Sequence, residues 1–389
     1  MIYHIYQLKS LLRMATILKY TDWEDANMLT VLLTDGAFTG LIRTLRAAYS
    51  ENIRIVGLST SSDTPHQTLL DSFYVVSPHD DAGYIDALIQ ILLKEKVDVV
   101  FPIVSEGLES LMQNEKRILS ETGARILSSP VSSLTTANDK GLLYSFLADS
   151  PDHSLSSLAP LFYFADTKAS LFDAIHAIQH TGRKACIKKR RGEDAEGFWL
   201  IDNDADYSSR LFSQPPGRSL TERMLSEMLS KMDDREPIPP YLVSEYLLGE
   251  EWDCDVLCMH GKLLSVTTRI NLSMTGGLTS LLEVRDHPYL AACCERITAA
   301  LGLSYVACIS FRADASGRFF LLEINPRMMG NIYVSALAGN NYAKMAIDLL
   351  YGREIHTVPP KSGIRTALYY DQLIIESNMQ NKEIEETHV

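Results

Sequence analysis

Short apolar segments alternate with helical segments over the first third of the chain, and this alternation restricts the fold more than any other feature. The apolar runs TVLLT, IRIVGLS and VDVVFPIV are separated by the helical segments LIRTLRAAY and YIDALIQILLKEK. Strands that alternate with helices in this way form a parallel sheet, because each helix crosses back over the sheet. The sequence therefore predicts a Rossmann-like α/β unit that begins near Leu29 and ends near Thr135.

The turn after the first of these strands contains Gly36 and Gly40. Their spacing is G-x-x-x-G, whereas a dinucleotide-binding loop has G-x-G-x-x-G and an acidic residue at the end of the second strand. Here residues 60–62 are Thr, Ser and Ser, and Asp63 comes only after them. The pattern disfavours a nicotinamide- or flavin-dependent enzyme. It leaves open an ordinary turn or an anion at the start of the following helix.

The pattern of the sequence changes near Asn138. A Ser- and Pro-rich stretch at residues 150–160 precedes the helix SLFDAIHAIQH and the strand KACIKKR. After Pro240, strands follow in hairpin-like order in YLVSEYLL, WDCDVLCMHGKLLSVTTRI and YVACISFRADASGRFFLLEINPR. Antiparallel pairs with few crossover helices predict an α+β unit beside the first.

Charge and composition narrow the class of protein. The chain has 36 Lys and Arg against 49 Asp and Glu, a formal charge of −13, which disfavours general binding to nucleic-acid phosphates. No apolar run approaches the roughly 18 residues of a membrane helix, and we find no export signal. The six cysteines lie in the second half, several in apolar runs, which is typical of a reduced, cytoplasmic protein. Cys254 and Cys258 lack further ligands at zinc spacing, so we interpret them as buried apolar residues.

The hairpin ISFRADASGRFFLLEINPR carries the strongest functional signal. Its return arm is apolar until it reaches Glu323, Asn325 and Arg327 at alternate positions, which places these side chains on one face. Glu and Asn supply the oxygen donors that Mg²⁺ takes beside phosphate oxygens, and Arg offers a fork for a phosphoryl group. The pattern indicates a magnesium and phosphate site, and an ion pair at a strand end is the structural alternative.

These residues resemble the ATP-grasp enzymes, in the branch similar to the carbamoyl-phosphate synthase large subunit and to amino-acid ligases. The resemblance extends from about Leu29 to Arg353, and LLEINPRMMGN is its most specific motif. It implies an α/β and α+β fold, with a Rossmann-like pre-ATP-grasp domain followed by a two-part ATP-grasp fold. We predict an N-terminal extension at 1–27, the first domain at 28–135, the ATP-grasp domain at 136–355 with its lid at about 160–245, and a C-terminal strand and polar tail at 356–389.

The resemblance also implies roles for single residues. In NDK, Lys140 stands where the family has a basic residue that reaches the ATP phosphates, and in ACIKK, Lys188 stands where a lid lysine contacts the α-phosphate region. The run VSEYLLGEEWDCDVL resembles the hinge that meets adenine, and its Glu251 would accept the ribose hydroxyls. The implied set is therefore Lys140, Lys188, Glu245, Tyr246, Leu247, Leu248 and Glu251 for ATP, Glu323 and Asn325 for metal, and Arg269 and Arg327 for catalysis.

Two regions depart from the family pattern. The lid loop KKRRGEDAEG has Lys189 in place of Pro and the acids Glu193 and Asp194 in place of small residues, which leaves its contact with phosphate open. Ser310 stands where the family has a further acidic or amide metal ligand. The sequence does not decide whether one or two metal ions bind, or whether Asp314 substitutes for that ligand.

Together these features predict an ATP-dependent carboxylate–amine ligase that uses ATP and Mg²⁺, with Mn²⁺ as a second option, and that releases ADP and phosphate. Small-molecule carboxylate and amine substrates are the expected partners, with no nucleic acid and no membrane, and a homodimer is left open. The alternatives are a bicarbonate-phosphorylating carboxylase or carbamoyl-phosphate-type enzyme, and a nucleotide-binding module without turnover. The sequence does not identify the carboxylate or the amine.

Overall fold

The structure is a computed structural model that describes residues 28–34, 38–62, 64–192, 195–205, 218–233, 237–275 and 277–369. The predicted N-terminal extension, the acids of the lid loop and the polar tail beyond residue 369 lie outside this part of the chain. Within it, every helix is too short or too polar to cross a membrane.

The first sheet has five strands, all parallel, in the order β3-β2-β1-β4-β5. Its central strand β1 is buried along its whole length, as the continuous apolar run predicts for a sheet covered on both faces. This confirms the Rossmann-like first unit. The strands are β1 (Leu29–Leu33), β2 (Ile53–Ser59), β3 (Ser72–Val75), β4 (Val99–Phe101) and β5 (Arg125–Ile126), and the helices are α1 (Thr39–Tyr49), α2 (Tyr84–Glu95), α3 (Leu108–Gln113) and α4 (Glu115–Thr122).

The second sheet has five strands in the order β6-β10-β7-β8-β9 and lies within the segment predicted as a lid. Three short helices precede it in the chain: α5 (Val131–Ala137), α6 (Lys140–Ala148) and α7 (His153–Ser156). The sheet contains β6 (Phe162–Ala165), β7 (Ala185–Lys189), β8 (Trp199–Ile201), β9 (Ser219–Leu220) and β10 (Tyr241–Glu245), with the helices α8 (Lys168–Gln179) and α9 (Glu222–Leu229).

The third sheet has six strands, all antiparallel, in the order β15-β14-β11-β12-β13-β16. Its hairpins confirm the α+β prediction for the second half of the chain. The strands are β11 (Glu251–Met259), β12 (Lys262–Thr275), β13 (Leu278–Val284), β14 (Tyr305–Ala313), β15 (Phe319–Asn325) and β16 (Arg365–Ala367), and the helices are α10 (Pro288–Leu301), α11 (Tyr333–Leu337) and α12 (Tyr342–Leu350).

The first sheet packs against the C-terminal part of the chain through a shared apolar core. Tyr342 and Ala346 of α12 are buried in the same cluster as Leu33 and Leu41 of the first unit. At this contact a Cβ on Gly40 would lie only 2.7 Å from the carbonyl oxygen of Gly330. Glycine therefore permits a close backbone approach here, which fixes the loop that follows β15.

All six cysteines are free and buried. Cys254 and Cys258 lie in the apolar cluster behind the third sheet, and burial raises the pKa of the Cys258 thiol to about 12. Among the described residues, no group of three or more His, Cys, Asp or Glu could hold a metal ion without other ligands. The interpretation of this pair as core residues fits these observations.

Candidate active site

A cleft of about 570 Å³ opens between the second and third sheets. Its walls come from β7, the hinge segment after β10, the central strands of the third sheet and the start of α6. It brings together most of the residues that the sequence resemblance assigned to ATP and metal, namely Lys140, Lys188, Glu245, Tyr246, Leu247, Glu251 and Glu323.

A row of paired residues crosses four neighbouring strands at the floor of this cleft. Arg269 on β12 pairs with Asp253 on β11, Asp253 pairs with Ser310 on β14, and Ser310 pairs with Glu323 on β15. Directly paired residues of antiparallel strands point to the same face of the sheet. These four side chains therefore lie side by side, which we call the cross-strand row.

Glu323 is held between Lys140 and Asn325. Lys140 Nζ lies 3.1 Å from Glu323 Oε2, and Asn325 Nδ2 donates to Glu323 Oε1 at 3.0 Å. Burial alone would raise the pKa of Glu323, but Lys140, Asn325 and Lys188 lower it below its ordinary value. The carboxylate is therefore ionised at neutral pH, which is the form that binds a divalent cation.

Lys140 is the first residue of α6, a helix capped by the side chain of Asp139. Its ammonium donates to the carbonyl oxygen of Gly192 at 3.1 Å and pairs with Glu323. One cation therefore joins the start of a helix, the lid segment and the end of β15.

Lys188 projects from β7 toward Tyr144 of α6, and its Nζ lies 5.9 Å from the centre of the Tyr144 ring. Burial alone would lower the pKa of this ammonium, but Tyr144, Cys186 and Glu323 together raise it above its ordinary value. Lys188 is therefore a charged donor in a largely enclosed position, which suits contact with a polyphosphate.

The hinge end of the cleft is apolar and aromatic. Leu247 is only 3% exposed, and the rings of Phe198 and Tyr246 lie 6.3 Å apart at this end. The guanidinium of Arg312 lies 5.1 Å from the centre of the Tyr246 ring. The carboxylate of Glu245 accepts from the backbone amide of Leu161 at 2.8 Å, so it fixes the hinge strand.

Glu251 begins β11 at the middle of the cleft. Arg312 Nη1 lies 3.5 Å from Glu251 Oε2, and Asn271 Nδ2 donates to Glu251 Oε1 at 3.3 Å. Burial raises the pKa of Glu251 and Asp253 raises it further, while Arg312 and Asn271 only partly offset them. A partly buried carboxylate with free acceptor capacity is suited to accept vicinal hydroxyls.

Three predicted residues lie at the edge of the cleft or behind it. Leu248 is 63% exposed and does not line the cleft. Asn325 and Arg327 are 7% and 5% exposed and lie behind Glu323. Arg327 Nη2 donates to Asn325 Oδ1 at 3.3 Å, so the acid, the amide and the guanidinium form one hydrogen-bonded series.

Arg269 is fully buried. Its Nη1 lies 2.6 Å from Asp253 Oδ2, and its Nη2 lies 3.3 Å from Asp255 Oδ1. Burial alone would lower the pKa of this guanidinium, but Asp255 and Asp253 raise it well above its ordinary value. The expectation of a direct contact between Arg269 and phosphoryl oxygens does not fit this position, because no part of its side chain reaches the cleft surface.

The structure also separates Asp314 from the metal-ligand position of Ser310. Asp314 lies in the hairpin turn, where its side chain accepts from the backbone amides of Ser316 and Arg318. Ser310 instead donates to Asp253 Oδ1 at 2.6 Å. Our sequence analysis missed Asp253, although acids at every second position of EWDCD were a signal that could have found it.

A second cleft, of about 970 Å³, lies beyond the carboxyl ends of β2, β3 and β4. Ligands of open parallel sheets bind at this edge. Gly192 belongs to the walls of both clefts, and Arg191 beside it donates to Glu109 of the first unit at 3.0 Å. The two clefts therefore adjoin at the lid segment. The charged and polar lining includes His79, Asp80, Asp81, Asp86, Glu106, Glu109, Arg117, Asn138 and Arg191.

Two family models match parts of this chain. The model described as "ATP-grasp in the biosynthetic pathway with Ter operon" matches residues 237–371, which include the whole third sheet. The model described as "PylC-like, N-terminal domain" matches residues 31–127, which include most of the first sheet.

Known proteins of similar sequence or structure agree with these matches. The carbamoyl phosphate synthase large chain of Thermomicrobium roseum is 22% identical over 333 residues, which are 81% of this chain and 28% of that protein. This chain thus spans well under half the length of that relative.

Two solved structures share the fold. An ADP complex of N5-carboxyaminoimidazole ribonucleotide synthetase matches with a TM-score of 0.61 and 15% identity, over 86% of this chain and 80% of that one. The L-amino acid ligase from Bacillus licheniformis matches with a TM-score of 0.56 and 14% identity, over 83% of this chain and 74% of that one. These likenesses confirm the predicted fold class.

Proposed function

We propose that this chain, which belongs to the ATP-grasp superfamily, is an ATP-dependent carboxylate–amine ligase. The γ-phosphoryl group of ATP passes to a substrate carboxylate, an amine attacks the resulting acyl-phosphate, and a C–N bond forms as phosphate leaves. The observation that carries the proposal is the convergence of Lys140, Lys188 and Glu323 in one cleft. Two cations and an ionised acid from separate segments match what a metal-bound triphosphate requires.

The nucleotide would lie along the cleft from the hinge to Lys140. The apolar surface at Leu247 and the aromatic ring of Phe198 suit a purine base, and Glu251 would accept the ribose hydroxyls. Lys188 and Lys140 would then contact successive phosphates. This order agrees with the roles that the sequence resemblance implied.

Glu323 would hold a divalent cation at the cleft surface, and Asn325 behind it would become the second ligand by turning its oxygen from Arg327. Their oxygens are the hard donors that Mg²⁺ prefers, and Mn²⁺ accepts the same donors. The neighbouring Asn271 Oδ1 is buried without a hydrogen-bond partner at the same cleft, so a further acceptor remains for the bound nucleotide or its water. Magnesium, when bound, would neutralise phosphate charge and help to orient the transferred group.

The protein side chains would act by position and charge rather than as nucleophiles. Lys140 would stabilise the negative charge on the phosphoryl group while it is transferred. Arg327 lies behind Glu323 and would act as a positioning residue, because its guanidinium holds Asn325 through a hydrogen bond. Arg269 becomes a positioning residue in this proposal, because it fixes the aspartates under the cleft floor.

The carboxylate and the amine would enter through the second cleft. The acyl group must meet the γ-phosphate near Lys140, and the second cleft reaches that point at Gly192. The ion pair between Arg191 and Glu109 would hold the lid segment against the first unit at this entrance. Closure would keep water from the acyl-phosphate.

A screen for ADP release over pairs of carboxylates and amines tests the proposal, with Glu323→Ala as the inactive control. ADP release that requires both substrates, and that Glu323→Ala lacks, would support it. Wild-type turnover by Glu323→Ala would contradict the metal role of this residue.

The same screen separates the two alternative functions. The carbamoyl phosphate synthase relative favours inclusion of bicarbonate, and ADP release that depends on bicarbonate without another carboxylate would identify a carboxylase or carbamoyl-phosphate-type enzyme. ATP binding without ADP formation over the whole panel would identify a nucleotide-binding module.

A further inference from the structure

We propose that the second cleft binds the amine substrate, that this substrate carries a second positive charge, and that Asn138 accepts a hydrogen bond from its reactive amino group. The inference rests on the proposed function, because a bound amine is a substrate only if the ligase reaction consumes it. It adds the charge of the amine and a residue that contacts it, and the sequence resemblance assigned neither.

Both arginines that line the second cleft are already paired with acids of the same lining. Arg117 Nη2 lies 2.7 Å from Asp86 Oδ1. Arg191 Nη1 lies 3.0 Å from Glu109 Oε1. Within each pair the charges offset one another, so the two guanidiniums offer little net positive charge to an anionic ligand.

Three further carboxylates of the lining lack such a partner. Within the described part of the chain, no lysine or arginine pairs with Asp80, Asp81 or Glu106. Glu106 Oε2 lies 3.8 Å from His79 Nε2, and Asp81 Oδ1 accepts from the backbone amide of Gly83 at 2.7 Å. Neither partner brings a permanent positive charge, so the cleft keeps an excess of negative charge. That excess attracts a cation and repels a free carboxylate.

The chemistry of the reaction then requires a second positive charge on the amine. An amino group attacks an acyl-phosphate only in its uncharged form, because a protonated amine has no lone pair. Attraction to the acidic cleft must therefore come from another group that stays charged at neutral pH, such as a second ammonium. The volume of about 970 Å³ accommodates such an extended molecule. The carboxylate substrate instead meets a cation at Lys140, beyond Gly192.

The side chain of Asn138 is an independent sign that this cleft binds a polar ligand. Asn138 lies between α5 and α6 and lines the cleft. Its Oδ1 and Nδ2 are both buried, and neither atom has a hydrogen-bond partner among the described residues. Buried amides without partners are rare, because their lost hydrogen bonds to water are not replaced. A ligand in the cleft would supply the missing partner.

Asn138 also stands near the place where the proposed acyl-phosphate would form. It lies two residues before Lys140, whose Nζ donates to the carbonyl oxygen of Gly192, and Gly192 lines both clefts. An amino group that donates to Asn138 Oδ1 would therefore face the acyl-phosphate from the second cleft. The distal ammonium would extend toward Asp80 and Asp81, which are exposed at the outer part of the lining.

The experiment measures the affinity of the full chain for three probes in the presence of Mg²⁺ and ADP, by saturation-transfer NMR titration. The probes are cadaverine, pentylamine and δ-aminovalerate. They share an amine on a five-carbon chain and differ at its far end, which is an ammonium, a methyl group or a carboxylate. Wild type should bind cadaverine about fivefold or more tightly than either of the others. Added salt should reduce this preference, because it screens the acids.

Asp80→Asn combined with Asp81→Asn should remove most of the preference for cadaverine. Asp166→Asn combined with Asp173→Asn is the matched control, because it removes the same charge from exposed acids that line neither cleft. The control pair should keep the preference. It is needed because the whole chain has a formal charge of −13 and attracts cations without any site.

Asn138→Leu should weaken the binding of all three probes about fivefold, because Asn138 contacts the amine that they share. It should not lower the free energy of unfolding, because the amide has no hydrogen bond within the described part of the chain that could be lost. Denaturant unfolding of this variant measures that second quantity and shows that the variant is folded.

Three results would overturn the inference: cadaverine that binds no better than pentylamine, an Asp80→Asn and Asp81→Asn pair that keeps the full preference, or an Asn138→Leu variant that binds the probes as wild type does. Each leaves the proposed function intact, because the ADP-release screen tests that function separately. In the screen, turnover with a monoamine but with no diamine would overturn the inference and support the proposed function. No ADP release with any pair would overturn both.

Discussion

Lys140 Nζ lies 3.1 Å from Glu323 Oε2, so the first turn of α6 and the end of β15 meet at one ion pair. Lys140 also lowers the pKa of Glu323 more than any other neighbour does. We predict that Lys140→Met reduces ADP release about 100-fold or more, since it removes a charge that faces the transferred group. The measurement is kcat for ADP release at saturating ATP.

The same variant has a second readout that a purely structural role would not give. Without Lys140 the pKa of Glu323 rises, so a smaller fraction of this carboxylate is ionised at a given acidic pH. The pH midpoint of Mn²⁺ binding should therefore move upward in Lys140→Met. Lys344→Met removes a lysine that pairs with Asp348 on α12, away from the cleft, and should leave the midpoint in place.

Lys188→Ala should weaken ATP and ADP binding about tenfold or more, because a hydrogen bond to a charged group contributes about 1.5 to 3 kcal/mol. Its Nζ is enclosed beside Tyr144, where water screens the charge poorly. Calorimetric titration with ADP measures the change. Lys184→Ala serves as the control, because Lys184 pairs with Asp202 outside the cleft. Equal affinities of the two variants would contradict the placement of Lys188.

Glu251→Gln should raise the stability of the protein relative to wild type at neutral pH and lower its selectivity between nucleotides. The folded-state pKa of Glu251 lies above its ordinary value of 4.5, so ionisation of this residue opposes folding. As pH rises from 4.5 through the raised pKa, the free energy of unfolding of wild type should fall relative to that of Glu251→Gln. Above the raised pKa, the difference between the two free energies should stay constant. Urea unfolding at a series of pH values tests the sign.

In binding assays Glu251→Gln should lose discrimination between ATP and 2′-deoxy-ATP, because the carboxylate that accepts the ribose hydroxyls is gone. Preserved discrimination would show that another group contacts the ribose.

Arg269→Met should lower the free energy of unfolding by about 3 to 5 kcal/mol, because it leaves Asp253 and Asp255 as buried charges without a cation. Arg285→Met is the comparison, since Arg285 pairs with Glu283 at a partly exposed site and such pairs contribute at most about 1 kcal/mol. Denaturant unfolding of both variants measures the difference. Similar losses would contradict the structural role of the buried arginine.

Gly40→Ala should disturb the cleft from a distance. Its new Cβ would lie 2.7 Å from the carbonyl oxygen of Gly330. This oxygen is a backbone atom, so it cannot move aside as the end of a flexible side chain can. We expect a loss of about 1 to 3 kcal/mol in stability, typical of overpacking, together with reduced ADP release as the loop after β15 moves. At Gly83 the nearest atom is on the flexible side chain of Asp81, so Gly83→Ala should change both quantities little.

Local patterns predicted the elements with continuous apolar or helical periodicity well. The run IRIVGLS coincides with β2 (Ile53–Ser59), and the predicted helix YIDALIQILLKEK matches α2 (Tyr84–Glu95). Both segments have a strong apolar periodicity, which depends on neighbouring residues alone. The α/β and α+β fold class followed from the order of such segments.

Short or interrupted elements were predicted less well. The sequence analysis did not find β3 (Ser72–Val75), which has only one buried residue, or the helices α3 and α4. The predicted strand VDVVFPIV is much longer than β4 (Val99–Phe101), and it stops where Pro102 lacks a backbone N–H for the ladder. The domain bounds and the roles of the site residues stay predictions.

The sequence by itself indicated the proposed chemistry, because LLEINPRMMGN resembles the ATP-grasp enzymes and its Glu323, Asn325 and Arg327 stand at alternate positions along a strand. Only the tertiary structure decided that Arg269 lies under the cleft and that Ser310 donates to Asp253. Pairing between strands distant in sequence sets those contacts, and no local pattern encodes which residues become neighbours across a sheet.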